Sequence, residues 1–192
     1  MAYSIWLNFN NQCVLKLKNR IQTIAHRYSC PEFHPHLTLV GDLDIRLDEA
    51  RKVAKMFVDK VIPPTISVRS VDSSDRYFMA LFLTLDIPSE LQETRKRAAR
   101  FTSSQRYNLD DPHVSIAYGH LNQHDLAKEV EILTRDFLNN RLIASDISVV
   151  HSSKNVPISD WQPVETIGIN HQATERNAMR LSGGRRTRPT RA

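Results

Sequence analysis

The chain has 192 residues, 41% hydrophobic and 24% charged, which suits one domain or one domain built from two similar halves. Its net charge of +5 lies in residues 171–192, where Arg176, Arg180, Arg185, Arg186, Arg188 and Arg191 stand against Glu175 alone. The remainder is neutral, which excludes a broadly basic nucleic-acid-binding face on the body, and no apolar run is long enough to span a membrane.

Tyr3 to Phe9 alternates as a strand, with Tyr3, Ile5, Leu7 and Phe9 on one face and Ser4, Trp6 and Asn8 on the other. Trp6, on the polar face, suits the wall of a cleft where a nucleobase stacks. Val14, Leu17, Ile21, Ile24 and Tyr28 recur at helical spacing. Cys13 and Cys30 sit at opposite ends of that predicted helix, beyond disulfide reach, so reduced thiols in a cytoplasmic protein are expected. The start, Met1-Ala2-Tyr3-Ser4, has no charged n-region, which agrees with that expectation.

A strand then carries Pro35-His36-Leu37-Thr38-Leu39. A second helix is expected from Leu47 to Val61, ended by Pro63-Pro64, then a strand from Thr65 to Val71 and a turn over residues 72–75. Arg76 to Asp86 reads as a strand, and Ser89-Glu90-Leu91-Gln92 as a capping box opening a third helix. Pro112-His113-Val114-Ser115-Ile116 repeats the earlier pattern. A helix capped by Asn122 and strands at Leu142–Val150 and Val164–Ile169 close the body. The body is thus placed at residues 1–170 and a disordered, Arg-rich tail at 171–192, a candidate contact for RNA phosphates.

Superposing the two His-containing motifs gives an offset of 77 residues, and the order strand, helix, motif strand, helix, strand recurs at that offset. Side chains alternate along a strand, so His36 shares a face with Thr38, and His113 with Ser115. One neutral imidazole can take a proton and a second, protonated, can give one, while the hydroxyls hold phosphate oxygens. The set suits metal-free, in-line cleavage of a phosphodiester, with a bell-shaped pH profile around neutrality and a lean toward His113 as base and His36 as acid. His34 is expected at the cleft rim. His34/His36 and His120/His124 are the only metal-chelating spacings of note, and no further ligand completes either, so no metal or cofactor is expected. Neither Cys13 nor Cys30 has a general base beside it in the pattern.

The doubled motif resembles the two-histidine (2H) phosphoesterase superfamily, which includes cyclic phosphodiesterases, bacterial RNA 2′,3′-cyclic phosphodiesterase/ligase proteins and 2′,5′-phosphodiesterases. Tyr3-Ser4-Ile5-Trp6, Pro35-His36-Leu37-Thr38, Pro112-His113-Val114-Ser115-Ile116-Ala117-Tyr118 and Trp161 are most similar to the plant-type cyclic phosphodiesterases. The resemblance implies an α+β, bilobal, duplicated fold: two antiparallel sheets flanking a central cleft, helices outside. It implies hydrolysis of 2′,3′-cyclic nucleotides or ADP-ribose 1″,2″-cyclic phosphate, leaving a monophosphate on the ribose; a monomer acting in RNA metabolism such as tRNA splicing is expected. His36 and His113 would be catalytic, and Thr38, Ser115, Tyr118 and Trp6 would bind substrate. Strict alternation puts Tyr118 away from His113, so a bulge or the strand's end must turn it inward. The disulfides of the family have no matching cysteines here. The alternatives are an RNA 2′,5′-phosphodiesterase or RNA-end processing enzyme, and a non-catalytic RNA-end-binding module.

Overall fold

The computed structural model describes residues 2–61, 64–102, 111–153 and 155–169. The tail and its RNA contact therefore lie outside the described residues. The elements run β1 (Ala2–Phe9), α1 (Asn11–Tyr28), β2 (Leu37–Asp44), α2 (Leu47–Lys55), β3 (Thr65–Ser73), β4 (Leu81–Asp86), α3 (Ser89–Phe101), β5 (His113–Ala117), α4 (Gln123–Phe137), β6 (Arg141–His151) and β7 (Gln162–Gly168). Helix ends follow local chemistry. Asn10 caps α1 by accepting from the Cys13 amide at 2.9 Å, Ser29 ends it in the left-handed region at φ 53°, and Asn122 caps α4 through the His124 amide.

Three boundaries differ from the sequence reading. The second helix stops at Lys55, not Val61, because the bonds tighten to three-residue spacing at Met56, Phe57 and Lys60. Phe57 and Val61 stay in the core regardless. The capping box at Ser89 does not form: the cap is Pro88, whose fixed φ is already suited, and Ser89 is the first helical residue. The strand read from Arg76 begins only at Leu81, since residues 77–79 form a single 3₁₀ turn.

The strands do not separate into two sheets. They form one antiparallel sheet in the order β1-β2-β5-β4-β3-β6, which β6 closes on β1, with β7 added outside on β6. Two narrow joins complete the ring: Leu37 to Val114 between β2 and β5, and three pairs between β3 and β6. Leu37 and Val114 are themselves one offset apart, so equivalent residues meet on a pseudo-two-fold axis. At the far join the same offset exchanges two pairs, Thr65 with Ile143 and Ile66 with Leu142, so the axis passes between them. Alternate strand residues build the core: Tyr3, Ile5, Leu7 and Phe9 join Leu17, Ile21 and Ile24 of α1 in one apolar cluster. Ser4, Trp6 and Asn8 lie on the other face, as expected from period-two alternation. Helices α1, α2, α3 and α4 pack on β5, β1, β2 and β3 respectively.

Each motif strand carries a bulge directly after its hydroxyl. Trp6 faces Thr38 but Ile5 faces Val40, and Phe82 faces Ser115 but Leu81 faces Ala117. One extra residue reverses the alternation beyond it. That is why Leu39 and Val40 are both buried, as are Ile116 and Ala117.

Candidate active site

The antiparallel pairing of Leu37 with Val114 sets Thr38 beside His113 and Ser115 beside His36, all on the face opposite the two apolar residues. These four side chains, with Trp6 and Tyr118, line one cleft of about 490 Å³. All six residues singled out from the sequence are therefore brought together. The bulge in β5 brings Tyr118 onto the cleft face, and Gly119 follows it at φ 137°. Position 41, one offset before Tyr118, is a glycine, also in the cleft lining.

The two imidazoles are held alike. His36 Nδ1 donates to the His34 carbonyl at 2.7 Å, and His113 Nδ1 to the Asp111 carbonyl at 2.8 Å. A carbonyl oxygen only accepts, so the proton sits on Nδ1 and Nε2 carries the lone pair in each neutral ring. Phosphorus chemistry needs that atom. His34 thus contributes its backbone, while its own side chain is exposed outside the cleft lining.

The surroundings differ. His36 is buried under Trp6, their rings stacked with centroids 3.5 Å apart and planes 9° apart. Burial pushes its pKa down to about 3, helped by the nearby charges His34 and His113 would carry. His113 is partly exposed and meets Phe82 edge-on at 5.6 Å; burial lowers its pKa too, with the Arg95 charge adding to the effect. The Ser115 hydroxyl donates to the Phe78 carbonyl at 2.9 Å, whereas among the described residues the Thr38 hydroxyl has no partner.

Arg95 of α3 supports the motif from behind. Fully buried, its Nε donates to the Leu39 carbonyl at 3.1 Å and its Nη2 to the Thr38 carbonyl at 3.3 Å. These carbonyls lie at the bulge, where β2 has no strand partner on the β5 side. A buried cation thus supplies donors that a longer ladder would have supplied.

Tyr118, Trp161, Phe78 and Trp6 form an aromatic wall. Tyr118 and Trp6 both meet Trp161 edge-on at 5.9 Å, and Phe33 stacks on Tyr118 at 3.8 Å. One face of Trp6 is thus occupied by His36 rather than free for a base. Phe78 and Arg76 also line the cleft, and sequence reasoning missed both because that stretch reads as strand. His120 precedes α4 and packs against Tyr77, so the helical spacing with His124 does not exist. Cys13 and Cys30 are free thiols, and burial pushes the Cys30 pKa up, away from a nucleophilic thiolate. Among the described residues, no helix is long and apolar enough to cross a membrane.

The model of the "Cyclic phosphodiesterase-like protein" family matches residues 1–169. The chain belongs to this family. The cyclic phosphodiesterase of Arabidopsis thaliana is 23% identical over 124 residues, covering 65% of this chain and 68% of the relative. The structure of protein TT0787 from Thermus thermophilus superposes with a TM-score of 0.56 at 12% identity, covering 88% of this chain and 98% of that one. Apo LigT from E. coli gives 0.52 at 9% identity, covering 88% and 96%. These two likenesses fix the fold: a mixed α/β 2H phosphoesterase fold with, among the described residues, an antiparallel sheet closed into a six-stranded barrel and four α-helices. The protein is a phosphodiesterase of the 2H superfamily.

Proposed function

We propose that the cleft hydrolyses 2′,3′-cyclic nucleotides or ADP-ribose 1″,2″-cyclic phosphate to a ribose monophosphate, without a metal. The observation that carries this reading is the pair of imidazoles, each with Nδ1 fixed on a carbonyl and Nε2 left for chemistry.

The environments suggest the roles. His36, the more deeply buried, is assigned as the neutral base, and His113, the more exposed, as the acid. This reverses the lean taken from sequence, where burial was invisible. A water oxygen attacks phosphorus and gives its proton to His36 Nε2. The bond from phosphorus to the ribose oxygen breaks, and that oxygen takes the proton from His113 Nε2. His36 ends protonated and His113 neutral, and exchange with solvent resets both. Thr38, with its free hydroxyl, donates to a phosphoryl oxygen as charge develops. Ser115 does the same after releasing the Phe78 carbonyl.

A leaving group that needs no proton tests the assignment. On a diester releasing 4-nitrophenolate, His113→Ala should recover most of the activity it loses on a cyclic nucleotide, and His36→Ala should not. Equal defects on both substrates would refute the assignment. Near-wild-type turnover of a cyclic nucleotide by either variant, or loss of activity in EDTA, would refute the two-histidine mechanism.

A further inference from the structure

The segment between β3 and β4 is a pinned loop. The Ser74 amide bonds the Ala80 carbonyl at 3.1 Å and its hydroxyl the Met79 carbonyl at 2.7 Å. From outside, Gln123 Nε2 holds the Ser74 carbonyl and the Gly119 amide holds the Tyr77 carbonyl, at 2.7 and 2.8 Å. Three consecutive side chains leave its apex for different places. Arg76 lines the catalytic cleft. Tyr77 lines a second groove of about 660 Å³, together with Pro31, His120, Val156 and Ile158. Phe78 lines both and so forms the partition between them.

The second groove is built from the same materials as the first. Tyr77, 36% exposed, meets His120 edge-on at 5.5 Å and Phe78 at 4.8 Å. Its far wall is tied to the aromatic cluster, since Trp161 Nε1 donates to the Val156 carbonyl at 3.0 Å. On the cleft side of that partition stands Arg76, exposed, with its Nη1 3.9 Å from the Met79 sulfur and no carboxylate partner among the described residues. Its charge reaches His113, where it adds to the lowering of the imidazole pKa. A cation at the cleft side of an aromatic partition, with a second aromatic groove beyond it, suits a ligand with an anionic link between two parts.

Ribose chemistry says which ligand. A 2′,3′- or 1″,2″-cyclic phosphate occupies two of the ribose hydroxyl oxygens, and the 5′ oxygen is left to carry a further nucleotide. We propose that the groove is a subsite for a nucleoside joined through phosphate to the 5′ side of the cyclic-phosphate ribose. Arg76 pairs with the linking phosphate, and Tyr77 with His120 packs the nucleobase. This rests on the cleft holding a cyclic phosphate as proposed above. The shared chemistry has two sources: an RNA end, linked by a phosphodiester, and an ADP-ribose-type molecule, linked by a pyrophosphate.

The full chain is assayed on three substrates: a nucleoside 2′,3′-cyclic phosphate, a dinucleotide ending in that group, and ADP-ribose 1″,2″-cyclic phosphate. At least one extended substrate should exceed the mononucleoside in kcat/KM by about tenfold or more, as stacking of one base allows. Whichever linkage gains more names the source. Tyr77→Ala and Arg76→Gln should each collapse that ratio, and His120→Ala serves as a second probe of the groove. Equal losses on all substrates, or an unchanged ratio in every variant, would overturn the subsite. Calorimetry with the corresponding monophosphate products separates this from the reading of the cleft. A wild-type chain that binds the extended product more tightly than the mononucleotide, through Tyr77, but hydrolyses no cyclic phosphate keeps the subsite and sinks the reaction. Equal affinity for both products sinks the subsite.

Discussion

The cleft has two halves built on one backbone plan and furnished differently. On the β2 side, Trp6 stacks flat on His36, the Thr38 hydroxyl is unengaged among the described residues, and Gly41 lines the cleft. On the β5 side, Phe82 stands in Trp6's place opposite the hydroxyl residue but touches His113 edge-on. Ser115 is engaged by the Phe78 carbonyl, and Tyr118 fills the position of Gly41. Equal backbones with unequal walls give two imidazoles of unequal burial. On the proposed mechanism, that inequality gives the two imidazoles different roles.

The comparison breaks most visibly at the histidines. His36→Ala and His113→Ala should each lower turnover by roughly 10²–10⁴-fold with the fold retained, as read by steady-state kinetics and circular dichroism. The hydroxyls come next and should differ. Thr38→Val removes a donor already free, and should cost roughly 10²–10³ in kcat/KM. Ser115→Ala should cost less, because its proton must first leave the Phe78 carbonyl. A larger loss for Ser115→Ala would reverse the ranking of the two halves.

The pH profile sharpens the comparison further. On the proposed assignment His36 acts neutral and His113 protonated, and burial lowers the pKa of both in the free protein. The bell in kcat/KM should therefore sit on the acid side of neutrality, not around it as the unperturbed value suggests. It falls below about pH 3 as His36 protonates, and above the lowered His113 value as the acid is lost. A bound phosphodiester anion favours both protonated forms, so the kcat profile should lie at higher pH. Trp6→Leu should open His36 to water and raise its pKa, moving the acidic limb upward while the alkaline limb stays. A profile whose alkaline limb moves instead would assign Trp6 to the other histidine.

The smallest effect belongs to the tail. Truncation at Asn170 should leave the melting temperature and cyclic mononucleotide kinetics unchanged. It should lower RNA affinity and flatten its salt dependence through the six lost arginines. Identical salt slopes would make the tail a solvated extension.

The sequence made the repeat legible because period-two alternation and a 77-residue offset need only residue types. His36, Thr38, His113 and Ser115 could be placed on one face by counting. Counting fails at a bulge, since the extra residue at Leu39–Val40 or Ile116–Ala117 is apolar like its neighbours and leaves no mark on the pattern. Tyr118 was therefore rescued only by its likeness to a family. The closure of the sheet was hidden for another reason. It depends on β3 pairing with β4 and β6 with β1, which are contacts between halves rather than within them. Arg76 and Phe78 stayed hidden because a tightly bonded turn there is apolar enough to pass for a strand.

That exchange of strands has a consequence for how such a site can arise. A half-length chain ending after β3 would hold β1 with β2 but leave β3 without its antiparallel neighbour. Two copies would satisfy each other by trading β3, rebuilding the ring around a true two-fold axis with one His-x-hydroxyl strand from each copy. In such a dimer, every residue near the axis must appear twice, so Trp6 could not stand across from Phe82, nor Gly41 across from Tyr118. Fusion into one chain lifts that constraint. Each half can then change alone, and a symmetric pair of imidazoles can diverge into a donor and an acceptor.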